Sequence, residues 1–451
     1  MAERTEDPSV VTAAAADAAY EDRTPEEVGS LTDAFKAAPY GGYNYVAEPA
    51  PGHDVKGIWH CFHTDSRSGY ATHAVAVSWM INRELGIPLM LVPHRAKDID
   101  VDRFPADREA LYSEWHSYKR AVGKPELLIV SLPPELQMAD LAPRTIYYSA
   151  YEASHVSPWT AGVCNDDLMT AVWCVSEFVA QSLRAGGVHA EKLDVVRPML
   201  CGGAWPMPDL PKSVDREDFI FGTMGTWHDR KGFHHLVRGY FGAFKREDKV
   251  VLNIRTSAFG GSRTIRDFTE MVVSEIAEIA REFGDFDYPR SKKMPRVRLQ
   301  TGTDQSDAEV IGWLGSLDGY VSPSFGEGLG IPAVWAKGMG TPMIATDCAA
   351  IGAMVREIDD ARGSAQSLDL LVPTAQVEVP MAMWKISQMF ARDATWADYE
   401  PAVLGAAMRT LADRPRQRDE RGARATRHLF GEATIAPLRA AIARRTDGAL
   451  L

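Results

Sequence analysis

The 451 residues, 45% hydrophobic and 24% charged, show ordinary globular usage, and the length suits two or three domains with cores of their own. A formal charge of -12, from 61 acidic against 49 basic residues, favours solubility and speaks against a broad nucleic-acid footprint, which needs a basic face. Cys61, Cys164, Cys174, Cys201 and Cys348 are odd in number and form no C-x-x-C pair, so reduced thiols are the simple reading. No stretch approaches the ~20 apolar residues that span a bilayer. The start, Met1 to Asp22, lacks the basic-then-apolar order of a secretory signal, and a cytoplasmic protein is expected.

Residues 1–50 read as a flexible lead closed by Pro and Gly punctuation. From Val55 the pattern changes. Val55 to Phe62 reads as a buried strand and Thr64 to Tyr70 as a polar turn. His73 to Leu85 carries Ala74, Val77, Ile81 and Leu85 at helical spacing. Strand follows at 87–92, a charged helix at 107–122, and strands again at 127–132, 146–149 and 171–175. Asp166 and Asp167 read as an N-terminal helix cap. Strands alternating with helices imply a parallel sheet covered on both faces.

Between Pro198 and Val214 the periodicity stops, and four prolines with Gly202 and Gly203 mark a linker. A second series then runs through a strand at 219–225, a helix at 233–244, a strand at 250–255 and a long helix at 264–283. Short strands follow at 297–300, 319–321 and 342–346. The expected organisation is α/β: a Rossmann-like domain at 51–205, a second in tandem at 206–400, and helices over 401–451 that pack back across both. The six arginines between Arg414 and Arg427 read as a solvated helical face. A dinucleotide fold needs G-x-G-x-x-G after a strand. The chain has Ser68-Gly69-Tyr70 and Gly222-Thr-Met-Gly225, and no P-loop.

The stretch from Ser322 to Thr346 carries the chemistry. A short strand through Ser324 enters a glycine-rich turn, and a helix opens near Pro332, where proline suits the first turn. The backbone N–H groups of Gly328, Leu329, Gly330 and Ile331 then form a helix start suited to an anion. Glu327 sits at the turn, where its carboxylate can accept from sugar hydroxyls or merely cap the connection. Arg230 and Lys231 follow another strand and precede another helix; such a pair is commonly plain surface charge, or a source of fixed cations for negative charge developing on a leaving group.

These segments resemble the signature of retaining GT-B glycosyltransferases of the large family (family four-like) that includes sucrose-phosphate synthases and bacterial mannosyltransferases. The match falls on Gly326, Glu327, Gly328, Gly330, Pro332, Ala336, Met339, Gly340, Pro342 and Ile344. The family's second glutamate, eight positions after the first, is Trp335 here, and its frequent arginine after Gly225 is Thr226. The resemblance implies a GT-B fold, two Rossmann-like domains facing across a cleft. It also implies transfer of a sugar from a nucleotide diphosphate, UDP or GDP, to a hydroxyl with retention and without a metal or other cofactor. Lys231 and Arg230 would hold the phosphates with the Gly328–Ile331 amides, and Glu327 would orient the sugar. Thr226, Ser324 and Trp335 would line the donor site, and Ser68, Gly69 and Tyr70 would be the loop that phosphate approaches from the N-domain.

On the acceptor side, Glu152 and His155 are candidates. His63 alternates with His60 along the first strand and could reach the cleft. Two alternatives stay open. A sugar-nucleotide-binding protein that has lost catalysis fits the replacements at Trp335 and Thr226, and a hydroxylated base in DNA is an alternative acceptor to a small molecule, lipid or polysaccharide.

Overall fold

The computed structural model describes residues 57–62, 67–93, 108, 125–131, 142–211, 216–258, 264–302, 305–363, 367–381, 383, 387 and 389–451. The lead at 1–50, His63 and all of the 107–122 segment but Arg108 lie outside the described residues. In the first domain, β1 (Ile58–Phe62), β2 (Leu89–Pro93), β3 (Leu127–Val130), β4 (Thr145–Ser149), β5 (Ala171–Cys174) and β6 (Leu193–Val195) form one parallel sheet in the order β2-β1-β3-β4-β5-β6. In the second, β7 (Phe219–Thr226), β8 (Val250–Ser257), β9 (Arg296–Thr301), β10 (Gly319–Ser322), β11 (Met343–Thr346) and β12 (Leu370–Val372) form another, ordered β12-β11-β10-β7-β8-β9. Every residue of β3, β4, β5, β10 and β11 is buried, as parallel strands covered on both faces require.

Strand order locates the crevices. The direction of winding reverses between β1 and β3 in the first sheet and between β7 and β10 in the second. Ligands of open α/β sheets lie beyond the carboxyl ends of strands at such switch points. The segments that leave β1, β7 and β10 carry Ser68 to Tyr70, Arg230 with Lys231, and Gly326 to Ile331 respectively.

Helices follow their local signals. α1 (Gly69–Trp79) starts at Ser68, whose hydroxyl accepts from the Ala71 N–H, one turn earlier than the apolar spacing suggested. α2 (Pro158–Asn165) is capped by Ser157. Asp166 and Asp167 follow this helix rather than opening one. Asp166 accepts from the Leu168 N–H in the turn into β5, which corrects the expected cap. α3 (Glu177–Ala185) and α4 (Phe233–Ala243) begin at Ser176 and at the left-handed Gly232. α5 (Ile265–Glu282), α6 (Asp307–Ser316), α7 (Ile331–Gly338) and α8 (Ala349–Arg362) complete the second layer.

A small antiparallel pair, β13 (Ala375–Glu378) and β14 (Thr395–Asp398), leads into α9 (Pro401–Ala412), α10 (Glu420–Leu429) and α11 (Ile435–Thr446). α11 returns to the first domain, where Arg444 and Arg445 each reach Asp194 of β6 at 2.7 Å. Fully buried Lys337 joins Asp369 and Asp419 at 2.9 and 2.8 Å, and Arg362 meets Asp419 at 2.7 Å, tying α7 and α8 to the start of α10. The arginine-rich stretch is only partly the solvated face expected. Arg416 donates to the Glu217 carbonyl, Arg418 to that of Leu317, and Arg427 to those of Gly338 and Pro208. These side chains staple the C-terminal segment down. No helix among the described residues is long and apolar enough to cross a membrane.

Two histidines lie in the first core. His60 of β1 shares hydrogen bonds with Ser78 and Ser131 at 2.8 and 2.7 Å, and His73 of α1 packs edge-on to Tyr70 and Tyr148. Burial pushes both imidazoles down to about 3, with His73 adding to the effect at His60. Between about pH 6.5 and pH 3 the unfolded chain therefore binds protons that the native state refuses, so native stability falls as pH falls through that window. Each site contributes a slope of about 1.4 kcal/mol per pH unit where its proton uptake is complete. His73→Phe is expected to lose roughly that much of the pH slope of the unfolding free energy; denaturant unfolding from about pH 6 to pH 4 checks it, and an unchanged slope would contradict it.

Candidate functional site

The turn after β7 is built to present two cations. Asp229–Lys231 forms a single tight helical turn, and Gly232 leaves it with φ 66°. A side chain at Gly232 would stand 2.0 Å from the Pro323 carbonyl oxygen, so this turn lies flat against the segment that leaves β10. The Phe325 N–H and the Ser324 hydroxyl both donate to the Arg230 carbonyl, at 2.8 and 3.0 Å. The two signature stretches are thus one hydrogen-bonded unit.

Across this unit the charges pair. Lys231 Nζ meets Glu327 Oε1 at 2.5 Å, Arg230 lies 3.7 Å from Glu327 Oε2, and Arg230 Nη2 is 3.2 Å from Glu152 Oε1 of the first domain. Burial opposes the charge on Glu327, but Lys231 and Arg230 outweigh it and hold the carboxyl below its ordinary range. Burial also works against Arg230, where Glu152 and Glu327 prevail and raise its pKa. At Lys231 burial wins, and the ammonium is easier to deprotonate than an ordinary lysine despite Glu327. Tyr70 joins from α1. Its hydroxyl donates to the Ala150 carbonyl at 2.9 Å, and burial, reinforced by Glu152, keeps the phenol protonated.

The glycine-rich turn is held by its carbonyls. Gly326 O accepts from Arg230 and Ser324, Glu327 O from the Ala350 N–H at 3.1 Å, and Gly328 O from the Ser176 hydroxyl at 2.6 Å. Among the described residues, no protein acceptor meets the backbone N–H groups of Glu327, Gly328, Leu329, Gly330 or Ile331. Within this run Gly330, left-handed at φ 82°, caps the start of α7 at Ile331. Two side-chain cations beside a run of unpartnered amides at a helix start suit a polyanionic group such as a diphosphate.

Tyr70, Glu152, Arg230, Lys231, Ser324, Glu327 and the 328–331 turn therefore come together. At Gly69 a Cβ would meet nothing within 4 Å, so the backbone there is open to approach. Thr226 ends β7, half-buried opposite Ser257 of β8. Other candidates stand apart. His155 pairs with Asp393 at 2.9 Å and its carbonyl accepts from the Tyr151 hydroxyl, which fastens 150–157 to the segment before β14. Trp335 is 4% exposed, packs against Trp205 and donates its indole N–H to the Leu200 carbonyl at 3.0 Å, so that donor is already engaged between the domains.

Two further residues bridge the domains beside this cluster. Ser176 is a serine between strand and helix, a cap by type, but its bond to Gly328 needs the other domain. Asp307, at the start of α6, binds Arg67, Arg108 and the Trp205 indole N–H, a second bridge between domains. Only tertiary structure reveals that partnership.

Two Rossmann-like parallel sheets facing each other at their switch points, with C-terminal helices returning to the first domain, make this a GT-B fold. Anabaena HepE in complex with UDP and glucose is similar, with a TM-score of 0.53 at 12% identity over 86% of this chain and 99% of that one. Escherichia coli trehalose-6-phosphate synthase bound with UDP-2-fluoro glucose gives 0.52 at 8% identity, over 86% and 98%. By sequence, no protein-family model and no curated protein matches the chain.

At Gly326 an added Cβ would stand 2.0 Å from the Glu152 carbonyl oxygen. Gly326→Ala is expected to push the 150–152 segment off the signature turn and cost ~1–3 kcal/mol. Thermal unfolding with amide exchange at 150–157 reads this, and native-like protection in the variant would contradict it.

Proposed function

We propose that this protein is a glycosyltransferase that moves a sugar from a nucleotide-diphosphate donor to a hydroxyl acceptor, with retention at the anomeric carbon. The observation that carries the reading is Arg230 and Lys231 set beside the unpartnered amides of Glu327 to Ile331 at the β7–β10 switch point. That array matches the diphosphate of a sugar nucleotide in charge and in hydrogen-bond type. UDP is the leading nucleotide and GDP the second, because the fold neighbours HepE and trehalose-6-phosphate synthase hold UDP or a UDP-sugar. The setting is the cytoplasm.

In this scheme Arg230, Lys231 and the amides take the diphosphate and Glu327 orients the sugar hydroxyls. The bond from the anomeric carbon to the phosphate oxygen breaks as the bond to the acceptor oxygen forms. The acceptor proton passes to the departing phosphate, and no metal takes part. Fixed donors stabilise the charge that grows on the leaving group without reorganising, which is how preorganised sites lower a barrier. The acceptor enters beside Glu152, from the first domain. Arg416, Arg418 and Arg427 already serve carbonyls, which weakens the case for a DNA acceptor.

The cluster of Glu152, Arg230, Lys231 and Glu327 is formally neutral, so an arriving diphosphate competes with resident carboxylates. Glu152 belongs to the other domain and is the one that separation of the domains removes. Lys231→Ala is expected to weaken UDP roughly tenfold to a hundredfold, the worth of one charge-assisted contact. Glu152→Gln should instead tighten UDP by roughly threefold or more as the competing charge is lost. Calorimetric titration of UDP, GDP and ADP measures both, with nucleotide release from their sugar conjugates assayed beside it. Binding without release, with candidate acceptors supplied, would favour a non-catalytic binding protein; no binding of any nucleotide would sink the proposal.

A further inference from the structure

His228 stands three residues before Lys231 and takes no part in the scheme above. Its ring caps the cation-bearing turn, with Nδ1 accepting the Arg230 backbone N–H at 3.2 Å. The Arg230 carbonyl accepts from Ser324 and Phe325. Residue 230 is therefore held at its amide by His228 and at its carbonyl by the turn after β10. With both ends fixed, Arg230 and Lys231 have little freedom to swing away from Glu327 and the signature turn.

We infer that His228 is a positioning residue for the diphosphate site, acting as a neutral Nδ1 acceptor that fixes the backbone from which Arg230 and Lys231 project. The inference rests on the donor-site reading given above. An acceptor at Nδ1 requires the ring proton on Nε2, and a doubly protonated ring would turn N–H against N–H. The half-buried ring is kept in its neutral form first by desolvation, then by Arg230 and Lys231, while Asp229 pulls the other way. The cations that need the cap thus help keep it in its accepting form.

Asparagine can present a non-titrating acceptor at a cap position, whereas alanine cannot. UDP is the probe, titrated into wild type, His228→Ala and His228→Asn, with melting temperatures recorded for each. Lost positioning should weaken UDP by roughly threefold to tenfold in the alanine variant. The asparagine variant should restore it to within about twofold. The pH series adds an opposed sign. Followed down from about pH 8 through the protonation of the His228 ring itself, read from its NMR shift because desolvation lowers its pKa, a cap predicts that wild type loses affinity relative to His228→Asn. A histidine touching the phosphate directly would gain affinity relative to the same variant, and the ionisation of UDP cancels in the ratio.

Wild-type affinity in a folded His228→Ala, failure of asparagine to restore it, or a pH ratio that is flat or favours wild type would each overturn the inference. Should the alanine variant not fold, the ratio of wild type to His228→Asn across pH decides alone. If wild type binds none of UDP, GDP and ADP, the donor-site reading falls first; if it binds UDP and the variants do not differ, only the role of His228 falls.

Discussion

Arg230 is the point on which the two domains agree. Its guanidinium lies between Glu152 of the first domain and Glu327 of the second, and also donates to the Gly326 carbonyl. A partly buried cation must find acceptors, and here they come from both sides of the cleft. The signature glycines follow from this. Gly326 and Gly328 have no Cβ because the 150–152 backbone passes where one would stand. Removing the side chains lets the main chains approach closely enough for Arg230 to span them.

The rest of the interface spreads the load. Ser176 holds Gly328, Asp307 gathers Arg67 and Arg108, and Arg197 forms a two-pronged pair with Glu357 of α8. These bonds are spread along the interface, from the segment after β1 to those after β5 and β6. Beside these polar bonds a buried apolar cluster is continuous from the first domain, through Tyr151, Leu200 and Trp205, to Leu329, Val334, Trp335 and Met339 of the second. α11, docked on β6 through Arg444 and Arg445, ties the C-terminal helices to the first domain.

Local signals are legible in the sequence where the physics is local. Strand and helix alternation pointed to both sheets because parallel strands are continuous apolar runs. The α7 start at Ile331 follows from Gly330 and Pro332. A polar residue with two local meanings is ambiguous in the sequence. Asp166 can cap a helix or close a turn, and only the chain direction beyond it decides. The arginines from 414 to 427 have the spacing of a solvated face, yet three of them reach carbonyls far away in sequence.

The sequence by itself determined the α/β class, the two-domain plan and the cation and glycine stretches, since periodicity, proline, glycine and charge act over a few residues. Tertiary structure alone decided which of those residues meet. It placed Glu152 on Arg230, turned the Trp335 indole toward Leu200 and moved His155 aside to Asp393. Those outcomes depend on strand order and domain approach, which set distances between residues tens to hundreds of positions apart. No local pattern encodes such a distance, because it results from burying two sheets and satisfying their polar groups at once.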